Sequence, residues 1–251
     1  MARQKGIIKL KGTIGDISFY KTTDGHLARE KGGVEKDRIM SDPAFQRTRE
    51  NGSEFGRAGK GGKLIRNAIR ILLQNAKDKR VTSRLTKELV TVVKSDPMNE
   101  RGQRTIQDGN LGLIKGFDFN IRGKLGTTLF APFLVAYDRA TGDVTADLDA
   151  FSPIIRIAAP GGTTHFKLVM GAAELDFVNE SFIVDMKDSG ILHYTAPDIA
   201  PLSLAGVLTP NSTLPVIVVL GVEFYQEVNG EMYPLKNGAF NALAVVLTDT
   251  L

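Results

Sequence analysis

The stretch EFGRAGKGGKLIRNAIRILLQ, residues 54–74, decides between a nucleotide-binding α/β fold and a helical segment of another kind. A phosphate-binding loop needs G-x-x-x-x-G-K-[ST], so that backbone amides cradle phosphate, lysine reaches its oxygens and a hydroxyl holds magnesium. Counting from Gly56 places Gly61 in register, but Gly62 then takes the lysine position. The preceding residues, 41–55, have a polar and helical pattern, whereas a phosphate-binding loop follows a buried strand. We therefore interpret residues 54–74 as helix.

Apolar or small residues recur at helical spacing along this region and form one stripe along the predicted helix. Ser41 or Asp42 is the expected N-cap, with Pro43 in the first turn. The stripe consists of Phe45, Gly52, Phe55, Gly59, Gly62, Ile65, Ile69, Leu72 and Ala76.

Glycines are unusually frequent in this helix, and each costs about 0.5–1 kcal/mol relative to alanine in a helix interior. Two explanations stay open for Gly59, Gly61 and Gly62. Either the helix breaks there and the glycines form a hinge, or they allow another backbone to pack closely.

Basic residues occupy the other face of the predicted helix and are suited to phosphate or carboxylate groups of a partner. The alternative is an ordinary solvated face. Aromatic residues do not interleave with these charges, so contact with a nucleic-acid backbone is expected in preference to base stacking. The candidate partner-binding residues are Arg47, Arg57, Lys60, Lys63, Arg66 and Arg70.

Short strands are predicted on both sides of the helical region, which gives an α+β fold. Residues 6–12 (GIIKLKG) and 16–33 alternate between apolar and polar residues, with Asp24-Gly25 as a hairpin signal. A β-ribbon this small is marginal alone and needs a surface to pack on. Further helices are predicted over residues 79–95 and 96–110.

After residue 123 the chain becomes rich in β-branched residues, and turn signals recur at short intervals, which predicts an antiparallel β-sandwich or barrel. A turn at Thr141-Gly142 is expected within residues 127–150. The composition divides the chain into a basic ribbon and helical region, 1–123, and an acidic β domain, 124–251. The other predicted strands cover residues 154–159, 164–173, 181–186, 190–196, 214–228 and 239–251.

Charge is distributed unevenly along the chain. Residues 1–125 hold 27 Lys and Arg against 14 Asp and Glu, a balance of +13. Residues 126–251 hold 5 against 14, a balance of −9, so the net charge is +4. This asymmetry indicates a polyanion partner, or copies that dock basic part to acidic part, or neutralisation within one molecule.

Recognisable catalytic and metal-binding motifs are missing from the sequence, and no cofactor is predicted. The chain has no cysteine, and its histidines, His26, His165 and His193, are not in metal-binding spacing. The acidic residues between Asp138 and Asp149 lack the spacing of a calcium loop, and alternation places Asp147 and Asp149 on one outward strand face. A carboxylate pair assembled in space stays open, since it is defined by separation and not by sequence.

The sequence has no apolar segment of signal-peptide or transmembrane length, so we expect a cytoplasmic protein without membrane contact. Release from the cell as part of a particle is compatible with this expectation.

The segments KGTIGDISFYKTTDGHLAREKGG (11–33) and DPAFQRTRENGSEFGRAGK (42–60) resemble an uncharacterised family of conserved bacterial proteins. That family has a short β segment, an arginine-rich P-x-x-Q-R helix and a β-rich C-terminal region. The resemblance covers about the first 75 residues. It implies a domain layout and no activity.

These observations favour a non-enzymatic structural subunit that self-associates into a homo-oligomeric ring, filament, sheath or shell, which could be phage-derived. The alternative is a module that binds nucleic acid or another polyanion through its basic half. A third hypothesis, an enzyme, would require a deep pocket lined by carboxylates or by His165 or His193.

Overall fold

The computed structural model describes residues 2–195 and 197–250. The chain divides into two compact units, one up to Arg49 and one from Glu50 onward. The change of composition at residue 123 falls inside the second unit. The boundary between the basic and acidic regions therefore differs from the boundary between the two compact units. Among the described residues, no helix is both long and apolar enough to cross a membrane.

The first unit contains a four-stranded antiparallel sheet in the order β1-β4-β3-β2. Its strands are β1 (Ala2–Arg3), β2 (Gly12–Ile14), β3 (Ile17–Thr22) and β4 (Gly25–Glu30), and α1 (Lys36–Ser41) follows. Thr22 pairs directly with Gly25, so the hairpin loop lies one residue earlier than the sequence pattern predicts. Gly25 has a φ of 110°, a conformation that favours glycine.

Residues 6–11 are the exception to the predicted strands of this unit. They form no strand, and only Gly12 of the GIIKLKG segment enters β2. The side chain of Gln4 holds the segment in a local loop, because its Oε1 accepts from the Leu10 amide at 2.8 Å. Its Nε2 donates to the Leu10 carbonyl at 3.3 Å. A local side-chain bond has replaced the expected strand pairing.

The first unit has no hydrophobic core of its own. None of residues 2–49 is buried. Sheets of this size need a covered apolar face for stability in water, because ordering each residue costs about 1–2 kcal/mol. This sheet therefore lacks the usual source of stabilisation within its own unit.

The helical region that leads into α2 (Gln46–Ala68) begins where the sequence predicts. Asp42 caps a short 3₁₀ turn, Pro43–Phe45, by accepting from the Ala44 amide at 2.9 Å. This turn leads into α2, and the boundary between the two units falls inside α2. Then come α3 (Arg70–Asn75) and α4 (Val81–Lys94), and α4 confirms the helix predicted over residues 79–95.

The predicted helix over residues 96–110 is wrong. The region consists of turns organised around the buried carboxylate of Asp96. That carboxylate accepts hydrogen bonds from the amides of Thr105 (2.8 Å), Met98 (2.8 Å) and Asn99 (3.1 Å). Burial opposes ionisation, but the bonds from Thr105, Asn99 and Met98 outweigh it and hold the pKa of Asp96 below its ordinary value. The carboxylate thus satisfies amides that a helix would have bonded to carbonyl groups.

Antiparallel strands make up most of the rest of the second unit, which confirms the predicted α+β fold with a sandwich or barrel. The larger sheet has the order β12-β11-β7-β8, with β13 paired to β11 and β9 paired to β7, and it curls into a half-barrel. The smaller sheet has the order β10-β6-β5. The strands are β5 (Phe133–Tyr137), β6 (Asp143–Leu148), β7 (His165–Asp176), β8 (Ser181–Asp188), β9 (Leu192–His193), β10 (Leu202–Val207), β11 (Val216–Val228), β12 (Glu231–Pro234) and β13 (Ala242–Asp249).

The structure differs from the predicted strands in several places. Residues 154–159 form no strand, because Pro153 starts the short helix α6 (Pro153–Arg156). Residues 127–128 belong to another short helix, α5 (Leu125–Thr128). The strands β10 and β12 were not predicted. The predicted strands over 190–196 and 239–251 each include one residue, 196 or 251, outside the described residues.

The central strand β11 separates two cores. Ile217 and Val219 face the helices α2, α3 and α4. The alternate residues Val218, Leu220 and Val222 face the smaller sheet. A strand covered on both sides can be apolar at every position, which explains the uninterrupted run VIVVL.

We expect Asp96→Ala to lower the free energy of unfolding by roughly 2–3 kcal/mol at pH 7, because several donors lose a charged acceptor. Since the folded pKa is lowered, this stabilisation is present above the unfolded pKa of about 3.9 and is lost as the pH falls through the folded pKa. The difference in the free energy of unfolding between Asp96→Ala and the wild type should therefore become smaller in acid.

Urea unfolding of full-length protein at pH 7 and at pH 3 measures this effect. Asp198→Ala is the control, since Asp198 is exposed. Equal stability of the two variants at pH 7 would contradict the role given to Asp96.

Candidate interaction surfaces

Arg57 is bonded to its own chain and is not free for a partner. Its Nη1 donates to the carbonyl groups of Gly102 (2.7 Å) and Arg104 (3.0 Å), and its Nη2 donates to Gln103 Oε1 at 3.2 Å. The guanidinium group thus anchors the turn region after α4 to α2. Its role in this structure is to bind backbone carbonyl groups.

Lys60 forms an ion pair with Glu180, with 2.8 Å between Nζ and Oε1. Glu180 ends the turn between β7 and β8 with a φ of 54°. The hydrogen bond from Lys60 and its charge lower the pKa of Glu180. Both side chains are exposed, so this pair contributes little to stability.

The other predicted basic residues differ in their surroundings. Arg47, Lys63 and Arg70 are exposed, whereas Arg66 is half-buried and burial lowers its pKa. Arg47 belongs to the first unit and the others to the second. The predicted basic residues of α2 and α3 therefore do not form a uniformly free surface.

A cleft of about 250 Å³ lies beside α2 and includes three of the predicted residues, Arg57, Lys60 and Gly61. Phe177 and Val178 of the β7–β8 turn contribute apolar side chains. The rest of its lining is Leu64, Thr105, Ile106, Gln107 and Glu180. Glu180 offsets the charge of Lys60, so Arg57, whose guanidinium is bonded to backbone carbonyl groups, leaves the lining with a formal charge of +1.

The helix α2 runs unbroken through Gly59, Gly61 and Gly62, and the interruption falls at Ile69. Gly61 and Gly62 are buried in close packing. A Cβ on Gly61 would lie 2.1 Å from Ile106 Cδ1, and one on Gly62 would lie 3.3 Å from Leu89 Cδ1. Gly59 has no atom within 4 Å of its Cβ position, so its absence of a side chain serves no packing in this structure.

Large apolar side chains are exposed in the first unit. Ile7 and Ile8 are 102% and 80% exposed, respectively. Ile14 and Ile17, which pair across the β2–β3 hairpin, are 62% and 46% exposed. Isolated exposed apolar residues are common, but here they belong to a unit in which none of residues 2–49 is buried.

The strand β5 is an open edge of the smaller sheet. It pairs with β6, and no other described strand pairs with it. Its sequence, FLVAY, contains neither charge nor proline, the usual protections of an edge strand. Sequence reasoning identified the strand but not its open edge, because strand order depends on distant parts of the chain.

Two clefts flank this edge. The inner cleft, about 570 Å³, lies between residues 133–135 of β5 and residues 244–247 of β13. The outer cleft, about 470 Å³, contains Phe133 and Leu134 together with Asp147 and Asp149. The two aspartates that the sequence predicts on one face thus line the same cleft.

The histidines His165 and His193 lie opposite each other on β7 and β9, with 3.3 Å between their Nε2 atoms. Burial, followed by the neighbouring His193, lowers the pKa of His165. His26 is half-buried in β4. Within residues 2–195 and 197–250, no group of three acidic or histidine side chains is placed to hold a metal ion.

No family model matches the sequence, and comparisons with curated proteins and with solved structures found no match. The resemblance to an uncharacterised bacterial family therefore stays a prediction.

We expect opposite effects from alanine at two glycines of α2. Gly59→Ala should raise the free energy of unfolding by about 0.5–1 kcal/mol, because alanine favours helix and the space is open. Gly61→Ala should lower it by about 1–3 kcal/mol, because the added methyl group overlaps buried Ile106.

Urea unfolding of both variants measures these changes, and Gly52→Ala serves as a second open-site control. A stabilising effect of Gly61→Ala would contradict the close packing described here.

Proposed function

We propose that this protein is a non-enzymatic structural subunit that self-associates into a homo-oligomeric assembly. The observation that carries the proposal is the first unit, in which a four-stranded sheet is formed although none of residues 2–49 is buried. Contact with another copy would cover its exposed isoleucines and provide the missing apolar burial. Removal of apolar surface from water is the dominant favourable contribution in most protein–protein association.

Charge complementarity favours a second copy of the chain as the covering surface. Residues 1–49 hold 11 Lys and Arg against 6 Asp and Glu, a balance of +5, and residues 126–251 carry −9. A basic unit that docks on the acidic part of the next copy is a head-to-tail contact. Such contacts close into rings or continue into filaments or shells.

The local bonds of α2 weaken the alternative of polyanion binding. Arg57 is bonded to backbone carbonyl groups, and Lys60 is paired with Glu180. A polyanion would have to compete with these bonds, whereas the docking of the first unit does not require these two residues to be free.

Light scattering on purified full-length protein, with absorbance at 260 and 280 nm, tests the proposal. We expect a discrete native mass that is a multiple of the 27.3 kDa chain and is free of nucleic acid. Ile14→Ser/Ile17→Ser should shift the mass toward 27.3 kDa, because these side chains are exposed in the single chain.

The control is Met98→Ser, an 80% exposed apolar residue outside the first unit, which should leave the mass unchanged. A wild-type monomer at every concentration would overturn the proposal. A small species with strong 260 nm absorbance that is lost in high salt would favour the polyanion binder instead.

A further inference from the structure

We infer that residues 6–11 of one copy add as a β-strand to the open edge of β5 in a second copy. This inference rests on the proposed self-association and names the contact that produces it. Strand addition of this kind uses main-chain hydrogen bonds for affinity and alternate side chains for specificity.

The surface that would accept the added strand is the inner cleft between β5 and β13. On one side of the inner cleft, β5 is bonded to β6 and to no other described strand. On the other side, residues 116–119 bond to β13 as far as Val245, where the Val245 amide donates to the Phe117 carbonyl at 3.0 Å. Among the described residues, no strand pairs with β13 on that side beyond Val245. Both walls of the cleft therefore offer backbone that an added strand could bond.

The two sides of this gap differ in chemistry. The inner cleft is lined mainly by apolar residues, including Val135, Val246 and Leu247, with Lys115 and Asp118 as its charged residues. On the outer face, Leu134 is 68% exposed and pairs directly with Asp147. A matching strand therefore needs apolar side chains on one face and basic side chains on the other.

Residues 6–11, GIIKLK, have this pattern. In an extended strand, Ile8 and Leu10 share one face, and Lys9 and Lys11 share the other. Ile8 and Leu10 would pack in the apolar inner cleft, and the two lysines would lie on the side of the carboxylates of Asp147 and Asp149. Ile7 would lie on the outer face beside exposed Leu134.

The donor segment is also unused within its own unit. It alternates as a strand does but forms none, and Ile8 is 80% exposed. Its backbone bonds at Leu10 run to the side chain of Gln4, which strand addition would replace with main-chain bonds. The sequence signal for a strand and the absence of that strand in the single chain are consistent with a partner strand on another copy.

The test uses two full-length variants with one contact surface altered in each. The donor variant is Ile8→Asp/Leu10→Asp. The acceptor variant is Leu134→Lys/Asp147→Lys/Asp149→Lys, whose three positions are all exposed. Circular dichroism should show wild-type secondary structure in both.

We expect each variant alone to be monomeric by light scattering, with a self-association constant weakened at least tenfold. Mixed together, they should form a 1:1 dimer and nothing larger, because only one intact donor and one intact acceptor are present. The control variants are Ile154→Asp/Ile155→Asp and Ile183→Lys, exposed apolar positions elsewhere, which should assemble as wild type does.

Assembly of both test variants like the wild type would overturn this inference and leave the proposed function standing. Two monomeric variants that fail to form the dimer would show that these surfaces do not bind each other. A monomeric wild type would overturn the proposed function itself, and this inference with it.

Discussion

Burial of β11 on both faces is the constraint on which the second unit depends. One face packs on the helices through Ile217 and Val219, and the other packs on the smaller sheet. This arrangement requires helices on one side and strands on the other, so it fixes the layers of the unit. The larger sheet forms only a half-barrel, and β5 is an edge strand of the smaller sheet.

The two units differ in their hydrophobic cores. The second has two cores, whereas the first has a sheet with no buried residue. Folding requires apolar burial to offset the loss of conformational entropy, and the first unit lacks that burial within its own residues. Self-association would supply it. The open edge of β5 and the unpaired segment 6–11 are then complementary parts of one contact.

Much of the fold could be predicted from local pattern. Helical periodicity identified α4, an apolar run rich in β-branched residues identified β11, and Asp42 was an identifiable cap. Failures occurred where a side chain replaced a backbone bond, as with Asp96 and Gln4, since such bonds leave no periodic signal. The basic residues of α2 and Arg70 of α3 were predicted as one surface. That Arg57 would instead bind the carbonyl groups of Gly102 and Arg104 depends on a distant turn, which no local pattern could indicate.

The central claim is that the first unit is stabilised by other copies of the chain. Hydrogen–deuterium exchange of the β3 and β4 amides, measured across protein concentrations and read by mass spectrometry, tests it most directly. The account predicts weak protection in dilute protein that rises with concentration in step with the native mass, while protection of β11 stays constant. Protection of β3 and β4 that is strong and independent of concentration would contradict the claim, because the unit would then be stable within a single chain.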